Sequence, residues 1–367
     1  MNTTAVRSFS QSLDPSPTPA QDAPRYYQIQ ALRFLAAFAV VIGHAFIFTA
    51  QKFPLSPDIV ELAGWAGGWS VALFFCISGF VITHGAQGLG PSQFLVHRLA
   101  RIYPAYWLAV LVVCAVKLVL FHGLPTQELS LISATLLPAG ERSYPLWIEW
   151  SLVYEVFFYA LFALLWIYRS NRALLVFVTF WLLVIAVAAV LHPGWASARY
   201  PTAGQIFFSI RNLPFILGVY CYFLRPHFNP STRAVLLLLF PAGLAGIAAL
   251  PGDLKAVSEA IAAFGLLGYL ASAQSPLKRD ALLVKLGDFS YGIYLIHISA
   301  ITVLLSIGFK EYQNPWLAIA AVIAFGTACG AVFGFVELAM YRRIKSFLDQ
   351  RFAARPLPSL AQADAPG

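Results

Sequence analysis

Charge is what this sequence has least of. Only 11% of its 367 residues are Asp, Glu, Lys or Arg, where a soluble domain of this length carries about a quarter. Hydrophobic residues make up 59%, more than a water-facing fold can cover, so most of the surface must face lipid. Cysteine is limited to Cys76, Cys114, Cys221 and Cys329, each inside an apolar run. That placement argues against a disulfide framework or a zinc site, and no metal is expected. The chain also lacks a repeat of fixed period and any obvious similarity between its halves, which weighs against an inverted-repeat transporter. No Gly-x-Ser-x-Gly elbow surrounds any serine that could act as a nucleophile. The net charge of +8 is not gathered into a stripe, so nucleic acid is not expected as a partner.

What the chain does have is a succession of apolar runs of about 20 residues, the length needed to cross a bilayer. They fall near 29–49, 67–84, 101–121, 147–168, 173–191, 205–224, 233–250, 256–273, 288–307 and 315–340. The shorter, Pro-bounded stretch 126–138 reads as a re-entrant or interfacial piece. The expected fold is therefore all-α: a polytopic integral membrane protein of about ten transmembrane helices. Its 30 Phe, 16 Tyr and 9 Trp suit interfacial aromatic belts.

Lys and Arg orient the spans. With the N-terminus inside, the outer loops hold Lys52, Arg142, Arg199, Lys255 and Lys310, and the spans hold Arg33, Lys117 and Arg211. The rest of the 24 Lys and Arg fall inside. Both termini are thus expected in the cytoplasm. Residues 1–25, polar and rich in Ser, Pro and Gln, read as a disordered cytoplasmic tail and not a cleaved signal peptide. Residues 26–345 read as the membrane domain, and 346–367 as a short cytoplasmic tail.

An ionisable group inside a span marks a functional site by default. In the first span Arg33 precedes His44 by almost three helical turns, so the two share a face and lie about 16 Å apart along the axis. The pair suggests an elongated cavity with a cation at its cytoplasmic mouth and an imidazole deeper in; a snorkelling Arg and a His bonded to a neighbouring helix are the structural alternative. In the fourth span Glu155 sits with Ser151 one turn away on the same face, and Tyr154 is adjacent. A carboxylate there needs a cation or a histidine to orient, and Arg211 in the sixth span is one available partner. Ser78-Gly79 in the second span suits close packing or a ligand approaching backbone. Arg98 and Arg101 open the third span, where they suit phosphate groups or serve topology alone. Tyr291, Tyr294 and His297 step by threes along the ninth span. They could line a cavity or join helix-packing contacts.

Together these segments resemble the bacterial membrane acyltransferases that O-acylate surface carbohydrates, the family called acyltransferase type three. The matching features run in order along the chain. They are Arg33 with ten residues before His44, Phe74-Phe75-x-x-Ser78-Gly79-Phe80, and Arg98-x-x-Arg101-Ile102-x-Pro104-x-Tyr106. Glu155-x-x-Phe158-Tyr159 and Ser290-Tyr291-x-x-Tyr294-Leu295-x-His297 follow. The absence of a C-terminal hydrolase-like domain resembles the stand-alone branch, such as exopolysaccharide O-acetyltransferases. The resemblance implies transfer of an acyl group, usually acetyl from acetyl-CoA, to a hydroxyl of an exopolysaccharide, a lipopolysaccharide or a lipid-linked sugar. It implies a multi-pass protein of the bacterial inner membrane, in contact with lipid. It gives Arg33 and His44 the family's donor-binding and catalytic roles and places coenzyme A at Arg98 and Arg101. Glu155 becomes an active-site carboxylate, expected to orient or charge-stabilise His44, which would act as general base or briefly carry the acyl group. Ser78, Ser151, Tyr154, Arg211, Tyr291, Tyr294 and His297 are expected to line the cavity. A transporter or flippase of a carbohydrate or lipid-linked precursor is the rival reading.

Overall fold

A computed structural model describes residues 26–123, 126–141, 144–192, 198–272, 277–308 and 314–353. The expected tail 1–25, the residues after 353, Arg142 and Lys310 lie outside the described residues. Among the described residues the fold is all-helical, with one isolated bridge between Ala139 and Thr202 as its only β pairing.

Among the described residues twelve α-helices follow in order: α1 (Tyr27–Ala50), α2 (Pro57–Ala86), α3 (Pro91–Phe121), α4 (Leu131–Thr135), α5 (Glu149–Leu165), α6 (Asn171–Leu191), α7 (Leu213–Leu224), α8 (Pro230–Ala249), α9 (Gly252–Ala271), α10 (Leu282–Asp288), α11 (Ser290–Ile307) and α12 (Pro315–Ala353). Their starts are written locally. Pro57, Pro91 and Pro230 stand in the first turns of α2, α3 and α8, where a missing N–H costs nothing. Ser170 caps α6, and a reciprocal Asn229–Thr232 capping box opens α8.

Nine of the described helices are long and apolar enough to cross a membrane. They match nine of the ten expected spans. The tenth, at 205–224, is broken: two 3₁₀ turns at Ile206–Phe208 and Ile210–Asn212 precede the 12-residue α7. Irregular backbone at membrane depth survives only where protein satisfies it. Here Asn212 Nδ2 donates to the Ile206 carbonyl at 2.7 Å, and Ser209 Oγ accepts from the Arg211 N–H. Both side chains are fully buried. The stretch 126–138 contains only the five-residue α4, tied to α3 by Tyr106 Oη donating to the Ser133 carbonyl. The last helix continues to Ala353, so the start of the expected C-terminal tail is helical.

α1 is the hub. It packs against α2, α10, α11 and α12, while α2 also packs on α7 and α9, and α3 on α5 and α12. Val176 and Val190 on α6 and Leu238 on α8 are more than two-thirds exposed, as lipid-facing residues are.

One tight crossing is between α2 and α7. A Cβ on Gly79 would lie 2.1 Å from the Phe215 carbonyl oxygen, and one on Gly218 would lie 2.0 Å from that of Cys76. The glycine of Ser78-Gly79 is therefore a packing residue that lets two backbones touch. Gly218→Val must force the helices apart, and overpacking of this kind costs about 1–3 kcal/mol. The expected outcome is a lower unfolding midpoint in detergent, with wild-type behaviour for a control such as Gly90→Ala, where the Cβ meets open space. A green fluorescent protein fused after Gly367 should fluoresce, and alkaline phosphatase fused there should be inactive, if both ends are cytoplasmic as the Lys and Arg distribution requires.

Candidate active site

The polar residues of five helices converge on one inner cavity of about 320 Å³. Arg33 enters it from α1, Ser78 from α2, Arg98 and Arg101 from α3, Ser151 and Glu155 from α5, and Tyr291 and Tyr294 from α11. Each helix contributes because its apolar remainder is committed to neighbours or lipid, leaving one polar face to turn inward.

Two arginines are held by their surroundings. Arg101 pairs with Glu337 of α12, whose side chain is fully buried. Its guanidinium also lies over the rings of Tyr291 (5.1 Å) and Tyr341 (4.8 Å). Arg98 donates to the Val81 carbonyl and faces Phe94 and Tyr159. Glu155 accepts from Tyr159 Oη at 2.5 Å and lies within electrostatic reach of Arg33. Gln30 Nε2 donates to Asp288 Oδ1 at 2.6 Å, closing one side of the cavity.

Gln30, Arg33, Val81 and Asp288 also line a wider vestibule of about 820 Å³. Arg279, Lys285 and Arg342 add positive charge there. Such a mouth suits a polyanionic ligand better than the engaged pair Arg98–Arg101 alone. These three residues were not singled out in the sequence, because each sits among ordinary inside-loop cations.

His44 lies on the far side of Tyr294. It is not in the lining of the inner cavity, contrary to the expected imidazole within one elongated cleft. Its partner is His297 of α11, with Nδ1 of His44 3.0 Å from Nε2 of His297. His297 Nδ1 lies 2.8 Å from the Tyr294 carbonyl and 3.1 Å from that of Ile293. Carbonyls only accept, so His297 carries its proton on Nδ1 and its Nε2 accepts from His44 Nδ1–H. With one proton on each ring, His44 Nε2 keeps a free lone pair, the arrangement of a general base. His297 is completely buried while His44 retains accessible surface. The group expected to orient His44 was Glu155; the observed one is His297, and Glu155 is bonded to Tyr159 instead.

Three expected lining residues, His297, Tyr154 and Arg211, are not in the lining of the inner cavity. Tyr154 Oη donates to Ser209 Oγ at 2.7 Å and contacts the Ala198 carbonyl, bracing the broken segment before α7. Arg211 lies over the Trp150 ring at 5.2 Å and lines a separate small pocket beside Glu259. Both point away because their helix faces meet α7 and α9, a matter of packing that spacing along one helix does not contain. Ser151 and Tyr294 share a 2.6 Å hydrogen bond at the inner wall. No cluster of three or more His, Cys, Asp or Glu able to hold a metal occurs among the described residues.

Residues 26–335 match the family described as acyltransferase domain. The chain belongs to this acyltransferase family. It is 31% identical over 294 residues to the exopolysaccharide production protein ExoZ of Rhizobium meliloti (strain 1021), covering 76% of this chain and 90% of that protein. The acyltransferase MdmB of Streptomyces mycarofaciens is 26% identical over 93% of this chain and 97% of its own length. Nodulation protein 10 of Rhizobium leguminosarum bv. viciae is 28% identical over 78% of this chain and 86% of its own. No solved structure matches the chain. As a member of this acyltransferase family the protein is an O-acyltransferase, and the transporter reading gives way to an enzyme.

The Arg101–Glu337 pair is the electrostatic tie of the acyltransferase site. Glu337→Ala leaves a guanidinium without its carboxylate in a largely buried position, at a cost of about 3–5 kcal/mol. The expected result is a large fall in the detergent unfolding midpoint, with partial recovery in Glu337→Gln, whose amide oxygen still accepts from Arg101.

Proposed function

We propose that the protein transfers an acyl group, acetyl in the simplest case, from acyl-coenzyme A to a hydroxyl of a cell-surface or exported carbohydrate at the bacterial inner membrane. The observation that carries this reading is the sequence of groups along α1 and α11: a basic vestibule, an arginine-lined cavity, and a histidine pair beyond it. Family membership supplies the acyl chemistry, and the similarity to the exopolysaccharide production protein ExoZ supports a carbohydrate acceptor.

In the proposed cycle the phosphates of coenzyme A rest among Arg279, Lys285 and Arg342. The pantetheine arm runs past Arg33 into the inner cavity, with Arg98 and Arg101 beside it. Three arginines in that cavity meet two lining carboxylates, Glu155 and Asp288, and the Glu337 that pairs with Arg101, so the cavity offers guanidinium N–H donors, without a net surplus of charge, to the thioester and its departing thiolate. His44 Nε2 accepts the proton of the acceptor hydroxyl as its oxygen attacks the thioester carbonyl carbon. The new C–O bond forms and the C–S bond breaks. The proton then passes from the imidazolium to the thiolate sulfur, leaving coenzyme A as the free thiol and His44 neutral again. His297 holds the His44 ring in the required tautomer throughout, and its buried carbonyl contacts prevent it from turning.

His44→Ala should lower acetyl transfer from labelled acetyl-CoA by about 10²–10⁴-fold, the span of a general base, with normal membrane insertion. Undiminished transfer in that variant would sink the assignment. His297→Gln should retain more activity than His297→Ala, because an amide oxygen can still accept from His44 Nδ1–H. Arg33→Ala should raise the KM for acetyl-CoA before it lowers kcat. Mass spectrometry of surface glycans with and without the gene should show loss of one defined acyl increment.

A further inference from the structure

The inner cavity changes character along its length. Arg33 and Asp288 line both it and the vestibule. The other charged groups gather about them: Arg101 and Glu155 lie within electrostatic reach of Arg33, and Arg98 faces the ring of Tyr159, to which Glu155 is bonded. From Val81, which borders the vestibule, to Val71 the wall follows α2 inward for about 15 Å. At that deep end the lining is Val71, Phe74, Phe75 and Leu152, with Ser151 and Tyr294 as its polar members. Their hydroxyl protons are committed. Ser151 Oγ spends its single proton on the Ile148 carbonyl at 2.9 Å, so Tyr294 Oη donates to Ser151 Oγ at 2.6 Å.

Resting on the acyl-coenzyme A reading above, we infer that this deep end is the seat of the acyl group and that Val71 and Phe75 are its floor, setting how long an acyl chain the protein accepts. The two residues stand one turn apart on α2, and both are buried. They also line a pocket of about 20 Å³ on their other side, with Gly68, Ala72, Arg211 and Glu259. That space holds little more than one water molecule. Val71 and Phe75 are thus a partition one side chain thick, and only their bulk keeps an alkyl tail from passing between the two spaces.

Phe75 is held firmly. Its ring meets Phe158 edge-on at 5.2 Å, and Tyr154 and Trp150 stand at 5.8 Å and 6.4 Å. Phe74 meets Tyr294 at 5.8 Å, and Tyr294 borders the histidine pair, 5.9 Å from His297. An extended pantetheine arm is about as long as the wall from Val81 to Val71, so its sulfur arrives at the deep end with room for a small acyl group beyond it. A second cavity, of about 530 Å³ at Phe48 beside His44, shares no lining residue with the inner one and gives a tail no extension. The seat therefore fits a short alkyl chain. A dicarboxylic acyl group such as succinyl would bring a carboxylate against Val71, Phe75 and hydroxyls whose protons are already spent.

The test uses the full-length protein in membrane vesicles, with unacylated glycan from a strain lacking the gene and equal concentrations of acetyl-CoA and butyryl-CoA. Mass spectrometry of the product then gives the ratio of the two kcat/KM values directly. The wild type should favour acetyl by more than about tenfold, since one methylene refused by a filled pocket is worth about 10–200-fold. Val71→Ala and Phe75→Ala should each raise butyryl against acetyl by about tenfold. Inhibition by free coenzyme A, which carries no acyl group, should not change with them. Should both truncations fail to fold, Val71→Ile decides: it raises the floor by one methylene and must lower propionyl-CoA against acetyl-CoA. A wild type that uses butyryl as readily as acetyl would overturn the inference. So would an acyl ratio that none of these substitutions moves while acetyl transfer persists. If the wild type consumes neither thioester, the acyl-coenzyme A reading itself fails and the seat falls with it.

Discussion

An arginine placed among membrane-spanning helices must find its counter-charge within the protein, because lipid offers none and the desolvated charge is costly. Arg101 finds it in Glu337, and much of the architecture depends on that contact. The pair fastens α3 to the middle of the longest helix, α12. The rings of Tyr291 and Tyr341 close over the guanidinium, which sets the position of α11 as well. The inner cavity is the space left once these helices are fastened, and its polar lining follows from the same requirement that charged groups face inward.

Backbone proximity supplies the other half of the design. Where α2 crosses α7 the chains approach at Gly79 and Gly218 until no side chain fits between them. This brings Ser78 to the cavity wall and lets the broken segment before α7 be satisfied by protein, with Ser209, Asn212 and Tyr154 completing its hydrogen bonds. Continuous α1 runs through the centre of these contacts. It carries Gln30 and Arg33 at one cavity, His44 at the middle and Phe48 at the other, so a single helix spaces the two cavities.

Much of this was legible along the chain. Apolar runs of span length located nine helices, since a helix that crosses lipid must be long and apolar whatever it packs against. The tenth segment defeated that reasoning because hydropathy is blind to backbone geometry: 205–224 is apolar enough, but its first part is turned and bonded by Asn212. In the site, the spacing of Ser151 and Glu155 on α5 brings both to the inner cavity, because helical periodicity relates residues on one helix, whereas of Arg33 and His44 on α1 only Arg33 lines it. Relations between helices did not follow. Glu155 was matched to His44 as the available acid, whereas the fold gives it Tyr159 and gives His44 a histidine. Tyr154, Arg211 and His297 were placed in the cavity and are not in its lining.

Composition and periodicity alone thus determined that the chain is an all-helical membrane protein, where its spans lie, and which buried polar residues merited attention. The reason is that lipid imposes its demands segment by segment. Only the tertiary structure decided which of those residues meet. The His44–His297 contact joins positions 253 residues apart, and the proton arrangement that leaves His44 Nε2 free depends on two carbonyls of a different helix. A cavity on each side of that pair is likewise a property of how helices pack, and no pattern within one span encodes it.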